Sequence, residues 1–411
     1  MKISDRSLNL GTENAFVVLA EVNELIKSGK EIISFCIGQP DFHTPVNIQN
    51  VAIDAIKNGK HGYTPSAGIH ELRFAISNYF NRTRDLKTKP EEIVVAAGAK
   101  PFIMYSILAT TDYDSGNEVI YPNPGFPIYE SQIKAMGAKA VPLHLNENRE
   151  FSVDPNMLEK LINKNTRLLI LNSPHNPTGG IISDKDFDSI VQILKDYPDV
   201  WIFADEIYSN LCFKEKYFSI SKYSSILDRL ILCDGVSKTW AMTGWRIGFA
   251  WCPKLAEIFT KWITNTESCA SHISQLAAVE ALDGDQNEAK KMFNEFKKRK
   301  NFIVEKINQI PGITCKDPGG AFYIWPNITK ACEMLGFNSA EEFRKKLLEQ
   351  EGVAVLSDIH FGVKVPNSGE HIRFSYAASI EEIEKGLNKL DNFIKTNQKN
   401  NLNCLYLFSH L

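Results

Sequence analysis

A lysine and an arginine stand eight residues apart in Ser237-Lys238-Thr239-Trp240-Ala241-Met242-Thr243-Gly244-Trp245-Arg246, a Gly-containing loop between two apolar stretches. Partial burial and neighbouring positive charge lower the pKa of a lysine amine, which can then attack a carbonyl and form a Schiff base. An arginine close by suits a phosphate. Two solvated surface charges show the same spacing, so the pair gains weight only from the other polar clusters of the chain.

Three of those clusters supply pieces that a phosphorylated pyridine aldehyde needs. Ala96-Ala97-Gly98-Ala99-Lys100 runs from an apolar strand into a helix and offers free backbone N–H groups to an anion, although an ordinary βα turn has the same composition. Asn172-Ser173-Pro174-His175-Asn176-Pro177-Thr178-Gly179-Gly180 is a rigid loop that can fix the Asn176 amide as a hydrogen-bond donor. Asp205, in Ala204-Asp205-Glu206-Ile207-Tyr208, ends a predicted strand. There a carboxylate can pair with a protonated ring nitrogen, making the ring an electron sink, and Tyr208 can reach a phenolic oxygen on it. A carboxylate in that position also caps a following turn.

The elements that must position these groups follow from periodicity. Apolar spacing predicts an amphipathic helix over 14–30, then helices over 68–82, 100–110, 126–136 and 183–196. Between them lie short apolar runs at 93–97, 118–121, 168–171, 201–204 and 230–233. Runs apolar on both faces, alternating with helices, predict an α/β fold with a mostly parallel doubly wound sheet and functional groups at its strand ends. After residue 286 the texture changes to a long charged helix over 287–309, short strands at 321–326, 353–356 and 371–377, and helices at 339–350 and 379–396. The expected organisation is an N-terminal segment, 1–45, that joins the small domain; a large domain over 46–286; a smaller α+β domain over 287–396; and a frayed tail over 397–411.

Composition narrows the function classes. The 411 residues are 44% hydrophobic and carry a net charge of −3, with Lys and Arg spread along the chain, which argues for a small-molecule partner and against nucleic acid. Eight cysteines contain no C-x-x-C pair and no metal-ligand spacing, so no metal is expected and the thiols are read as reduced, in a cytoplasmic protein. The longest apolar run near the N-terminus is 15–20, far short of a signal sequence or membrane span, which predicts a soluble protein.

Taken in order, these motifs resemble the class I/II aminotransferases, fold type I enzymes that use pyridoxal 5′-phosphate, and the resemblance spans about residues 34–390. It implies that Lys238 carries the cofactor as a Schiff base, that Asp205 pairs with the pyridine nitrogen, and that Asn176 and Tyr208 bond the phenolic oxygen. Lys238, Asp205 and Tyr208 are the implied catalytic residues. Gly98, Ala99 and Lys100 begin the helix that receives the phosphate, which Ser237 and Arg246 also hold, and Phe126 stacks on the ring. Gly38, in Ile37-Gly38-Gln39-Pro40-Asp41-Phe42, leaves room for the substrate carboxylate. Tyr63, in His61-Gly62-Tyr63-Thr64-Pro65, reaches the phosphate of the neighbouring subunit in a homodimer with shared sites, and Arg373 clamps the α-carboxylate. The activity implied moves an amino group between an L-amino acid and a 2-oxo acid.

This sequence departs from the family pattern twice. Gly235 stands three residues before the lysine, where many relatives carry a hydroxyl. Ser357-Asp358-Ile359-His360-Phe361-Gly362 replaces a small Pro/Gly-rich loop, so Asp358 and His360 are expected at the substrate mouth as selectivity residues. The same residues would serve a β-lyase, a cyclase or an oxidative deaminase of specialised amino-acid metabolism. A nucleotide-dependent enzyme is disfavoured because no G-x-G-x-x-G or G-x-x-x-x-G-K-[ST] occurs at a strand-helix junction. A DNA-binding regulator would need an attached domain, for which the residues before Asn14 are too few.

Overall fold

The computed structural model describes residues 2–8, 10–365 and 368–408. Seven strands form one sheet in the spatial order Ile93–Ala96, Gly248–Trp251, Leu230–Gly235, Trp201–Asp205, Thr166–Asn172, Glu118–Asn123 and Lys139–His144. Gly248–Trp251 is antiparallel to both neighbours, and the other pairings are parallel. The strands read as unbroken apolar runs because both faces are covered. Leu168 and Ile170 enter one apolar cluster while Leu169 and Leu171 enter another, and Ile231 and Leu232 divide in the same way. Helices Lys100–Thr110 and Ala256–Thr266 close one face through Phe102 and Phe259. His70–Arg84, Asp184–Leu194 and His272–Asp283 close the other through Leu72, Ile190 and Ala278. Each fully buried Leu, Ile or Phe in these layers contributes about 1.5–3 kcal/mol relative to exposure. The α/β doubly wound expectation therefore holds.

A second sheet of three antiparallel strands, in the order Leu356–Ser357, Ile372–Ser375 and Tyr323–Ile324, packs with helices Asn287–Ile307, Thr329–Leu335, Ala340–Glu351 and Ile380–Phe408 around its own apolar cluster. Ile33–Ser34 pairs in parallel with Val353–Ala354, so the N-terminal segment is stitched to this second unit. Helix Asn14–Lys27 precedes it, with Glu21 pairing Arg344 at 3.2 Å.

Three elements differ from the sequence expectation. Lys139–His144 is an edge strand in which Leu143 alone is buried, and Pro142 is tolerated because the strand has a partner on one side only. Val46–Lys57 is a helix that the sequence reading left unassigned. The final helix does not stop at 396: it continues to Phe408, through a polar stretch that contains neither Gly nor Pro to end it. Among the described residues no helix is long and apolar enough to cross a membrane.

Candidate active site

The parallel strands end on one edge of the large sheet, and a cavity of about 430 Å³ opens there. Its wall brings together Gly38, Ala99, Lys100, Phe126, Asn176, Asp205, Tyr208, Ser237, Lys238, Arg246 and Arg373, residues contributed by both sheets and the N-terminal segment. Gly98 lies directly behind it: a Cβ there would fall 2.0 Å from Arg246 Nη2, and its φ of +98° is glycine territory. Arg246, itself at φ +55°, is held by Nη1 donating to Thr243 O at 2.8 Å and Nη2 donating to Ala97 O at 3.2 Å. Guanidinium and helix N-terminus thus converge on one spot, a cradle for a phosphate.

Lys238 is partly buried, and its Nζ donates to Gly38 O at 2.7 Å. Burial lowers its pKa to about 8; Glu13 opposes that shift, while the charges of Arg373, Arg246 and Lys100 add to it. An amine so placed is a usable nucleophile and base near neutral pH. Asp205 is buried, and burial raises its pKa, opposed by the hydrogen bond that Tyr129 Oη donates to its Oδ2 at 2.6 Å. A buried carboxylate beside an aromatic-walled cavity suits a protonated ring nitrogen. Tyr208 Oη sits 2.9 Å from Tyr323 Oη.

Arg373 Nη1 donates to Asn176 Oδ1 at 2.9 Å, and Nη2 donates to Cys36 O. Its Nε is buried without a hydrogen-bond partner, an orphaned donor that an incoming carboxylate would satisfy. The guanidinium is sandwiched 4.4 Å from the Tyr323 ring centroid and 4.8 Å from that of Phe361.

Several expected residues stand elsewhere or in another relation. The space that Gly38 leaves is taken by Tyr323, whose Oη would lie 1.8 Å from an added Cβ. Lys100 begins its helix as expected, but its amine is drawn to the Glu13 carboxylate and lies over Phe16 and Phe126, at 5.8 and 5.3 Å from their ring centroids. Gly235 is tightly packed: an added Cβ would lie 3.0 Å from both Ile207 Cδ1 and the Ile247 carbonyl, so a hydroxyl side chain would need its neighbours to give way. Tyr63 is 90% exposed and does not line the cavity of its own chain.

Asp358 and His360 are also outside this cavity, contrary to the expectation of a substrate mouth. Residues Asp358–Phe361 form one tight turn. Asp358 is turned into a different cleft, where its carboxylate accepts from Ile359 N at 2.9 Å and faces Lys364 at 3.6 Å. His360 Nδ1 accepts from Ser357 N at 3.3 Å, its Nε2 is 3.7 Å from Glu341, and burial lowers its pKa to about 4, so it is neutral. The turn reaches the site only through Phe361, under Arg373.

Four neighbours of the site escaped sequence reasoning: Glu13, Tyr129, Tyr323 and Phe361. Tyr129 follows Phe126 by three residues, so helical spacing alone could have placed both on one side. Glu13 carried no such signal, since its partner Lys100 is 87 residues away.

The model of the family described as "Aminotransferase class I and II" matches residues 30–390. The chain belongs to the class I and II aminotransferases. It is 33% identical over 398 residues to an aspartate aminotransferase of Bacillus subtilis strain 168, covering 96% of this chain and 99% of that one. An asparagine–oxo-acid transaminase of Streptococcus mutans is 35% identical over 398 residues, with the same coverage of each chain. Among solved structures, an aspartate aminotransferase from Rhizobium meliloti superimposes with a TM-score of 0.90 at 30% identity, covering 96% of this chain and 99% of its own. This aminotransferase is therefore a transaminase of a pyridoxal-phosphate-dependent family, and the lyase, cyclase and oxidase readings are not favoured.

Proposed function

We propose that this aminotransferase binds pyridoxal 5′-phosphate and takes its amino group from a four-carbon amino acid, aspartate first, for delivery to a 2-oxo acid. The observation that carries the substrate class is the cation pair left in the cavity after the cofactor's needs are met. Lys238 and Arg246 are assigned to the aldehyde and the phosphate, leaving Arg373, with its unpartnered Nε, and Lys100, at the Glu13 side. Arg373 suits the α-carboxylate, and Lys100 suits a side-chain carboxylate that displaces its Glu13 partner. The relatives named for aspartate agree with this choice.

The donor set fits the cofactor. The Lys100–Thr110 N-terminus, Arg246 and Ser237 would hold the phosphate, Asp205 the ring nitrogen, and Asn176 and Tyr208 the phenolic oxygen, with Phe126 covering the ring. When bound, the cofactor supplies an electron-poor ring that acidifies the substrate Cα–H. Arg373 holds the α-carboxylate and so sets the angle at which Cα meets the ring. With a pKa near 8, about one Lys238 amine in ten is unprotonated at pH 7 before the cofactor is engaged. With the cofactor held there, Lys238 Nζ would be the base that takes up and gives back the substrate Cα proton. Asp205, held by Tyr129, would place its carboxylate against the ring nitrogen.

The working unit is a homodimer with residues 46–286 and 287–396 as the two domains of each subunit. Tyr63, 90% exposed, and Val46 and Ile56, 66% and 62% exposed, are what a second copy would cover. Cys36, Cys212, Cys233, Cys252, Cys269, Cys315 and Cys332 are unpaired and suit the cytoplasm.

A specific observation favours asparagine as a second donor. Glu13 beside Lys100 presents an acceptor and a donor together, the pair an amide needs. Initial-rate measurement of kcat/KM with aspartate, asparagine, alanine and ornithine decides the matter. Aspartate or asparagine should exceed alanine by at least about a hundredfold, the effect of one desolvated charge-assisted contact. Equal values for alanine and both four-carbon donors would overturn the substrate class.

A further inference from the structure

Tyr129 is fully buried on helix Ile128–Ala135, with its ring in the apolar layer beneath the sheet. Its hydroxyl makes one hydrogen bond among the described residues, the 2.6 Å contact to Asp205 Oδ2, and no other side chain donates to that carboxylate. The other oxygen, Oδ1, has only the Ile207 N–H at 3.4 Å, a weak contact, so it is the oxygen left for another donor. The Asp205 backbone is pinned as well, its carbonyl accepting from Asn172 Nδ2 at 2.9 Å. Tyr129 also meets Phe126 edge to face, at 5.7 Å between ring centroids.

We propose that Tyr129 is a positioning residue for the reaction: its hydroxyl fixes the Asp205 carboxylate in one rotamer and in its ionised form, with Oδ1 free for the ring nitrogen of the cofactor. The inference rests on the reading of Asp205 as the ring-nitrogen partner. Burial favours the neutral acid at Asp205, and the tyrosine hydrogen bond opposes it. A hydrogen bond to the charged form stabilises that form, and the low-polarity surroundings strengthen the bond. Asp205 could rotate about its side-chain bonds without Tyr129, since nothing else among the described side chains holds it.

The test uses Tyr129→Phe in the full-length chain and needs no turnover. Cofactor-free wild type and variant are titrated with pyridoxal 5′-phosphate and with its 1-deaza analogue, which has carbon in place of the ring nitrogen, and Kd is read from the quenching of tryptophan fluorescence. The variant should bind pyridoxal phosphate about ten- to a hundredfold more weakly than wild type, the range of one hydrogen bond to an ion, and should bind the deaza analogue equally well. Weakening of both ligands alike would overturn the proposal, because the hydroxyl would then shape the pocket in general. No weakening of either would overturn it too, as would a large fall in the melting temperature of the cofactor-free variant, which would make the hydroxyl a fold contact. Failure of the parent reading gives a different result: wild-type protein would itself not discriminate between the two ligands.

Discussion

Arg373 Nη1 and Asn176 Oδ1 are joined at 2.9 Å, so the arginine proposed for the substrate carboxylate and the amide proposed for the cofactor's phenolic oxygen are one hydrogen-bonded unit. Whatever engages Arg373 must pull on Asn176. A lysine in its place would keep the charge and lose the planar fork that reaches Asn176 and the Cys36 carbonyl together. Arg373→Lys should therefore raise KM for the amino acid and lower kcat/KM by about a hundredfold or more. Steady-state kinetics with the preferred donor checks this, and a variant within threefold of wild type would remove Arg373 from the carboxylate site.

Lys238→Ala should abolish the visible absorbance of lysine-bound cofactor and nearly all turnover, with the fold intact. Borohydride reduction and peptide mapping of wild type should find the phosphopyridoxyl group on residue 238. Its appearance on another lysine would reassign the nucleophile.

Lys238 also gives a signed pH dependence. Its folded pKa of about 8 lies below the ordinary 10.5, so the cost of burying the ammonium is fully felt below pH 8. Between 8 and 10.5 the unfolded chain binds more protons, stability rises with pH, and above 10.5 the cost is gone. Cofactor-free wild type should accordingly be less stable than Lys238→Met near pH 7, and the gap should narrow by about pH 10. Parallel denaturant melts measure it; a gap that stays constant with pH would mean that the amine is not desolvated.

Asp358→Ala should leave the ratio of kcat/KM between basic and neutral amino acids unchanged, because Asp358 faces Lys364 in a separate cleft. Phe361→Ala, by contrast, removes the ring 4.8 Å from the Arg373 guanidinium and should raise KM. A shifted ratio in the first variant would return Asp358 to the substrate site.

Tyr63 and Lys238 should complement across subunits if the sites are shared. Mixing inactive Lys238→Ala with Tyr63→Ala by co-refolding gives roughly half mixed dimers, each with one intact site, so about a quarter of wild-type sites should return. Activity no greater than that of the separate variants, with mixed dimers verified by mass, would mean that Tyr63 serves its own chain.

The contrast between Lys238 and Asp358 shows what was legible in the sequence and what was not. Groups at strand ends could be read, because an apolar run such as 201–204 fixes where its strand stops and therefore where Asp205 emerges. Lys139–His144 was missed because an edge strand is half solvated and loses the apolar signature. Asp358 and His360 were misplaced because polarity in a loop says nothing of direction, and a single tight turn sent both away from Arg373. Glu13 and Tyr323 are brought in by packing between distant segments, which no local pattern encodes.

The pairing of Ile33–Ser34 with Val353–Ala354, and of the Cys36 carbonyl with Arg373 across a sequence separation of 337, has a consequence for synthesis. Residues 33–38 leave the ribosome early, yet the Cys36 carbonyl has no Arg373 to bind until the strand Ile372–Ser375 has been made. The large sheet can assemble while the chain is growing, but the pocket acquires its Gly38 wall only after nearly the whole polypeptide is free. Premature termination before residue 373 would thus release a chain that carries Lys238 and Asp205 but lacks Arg373, the proposed clamp for the amino acid.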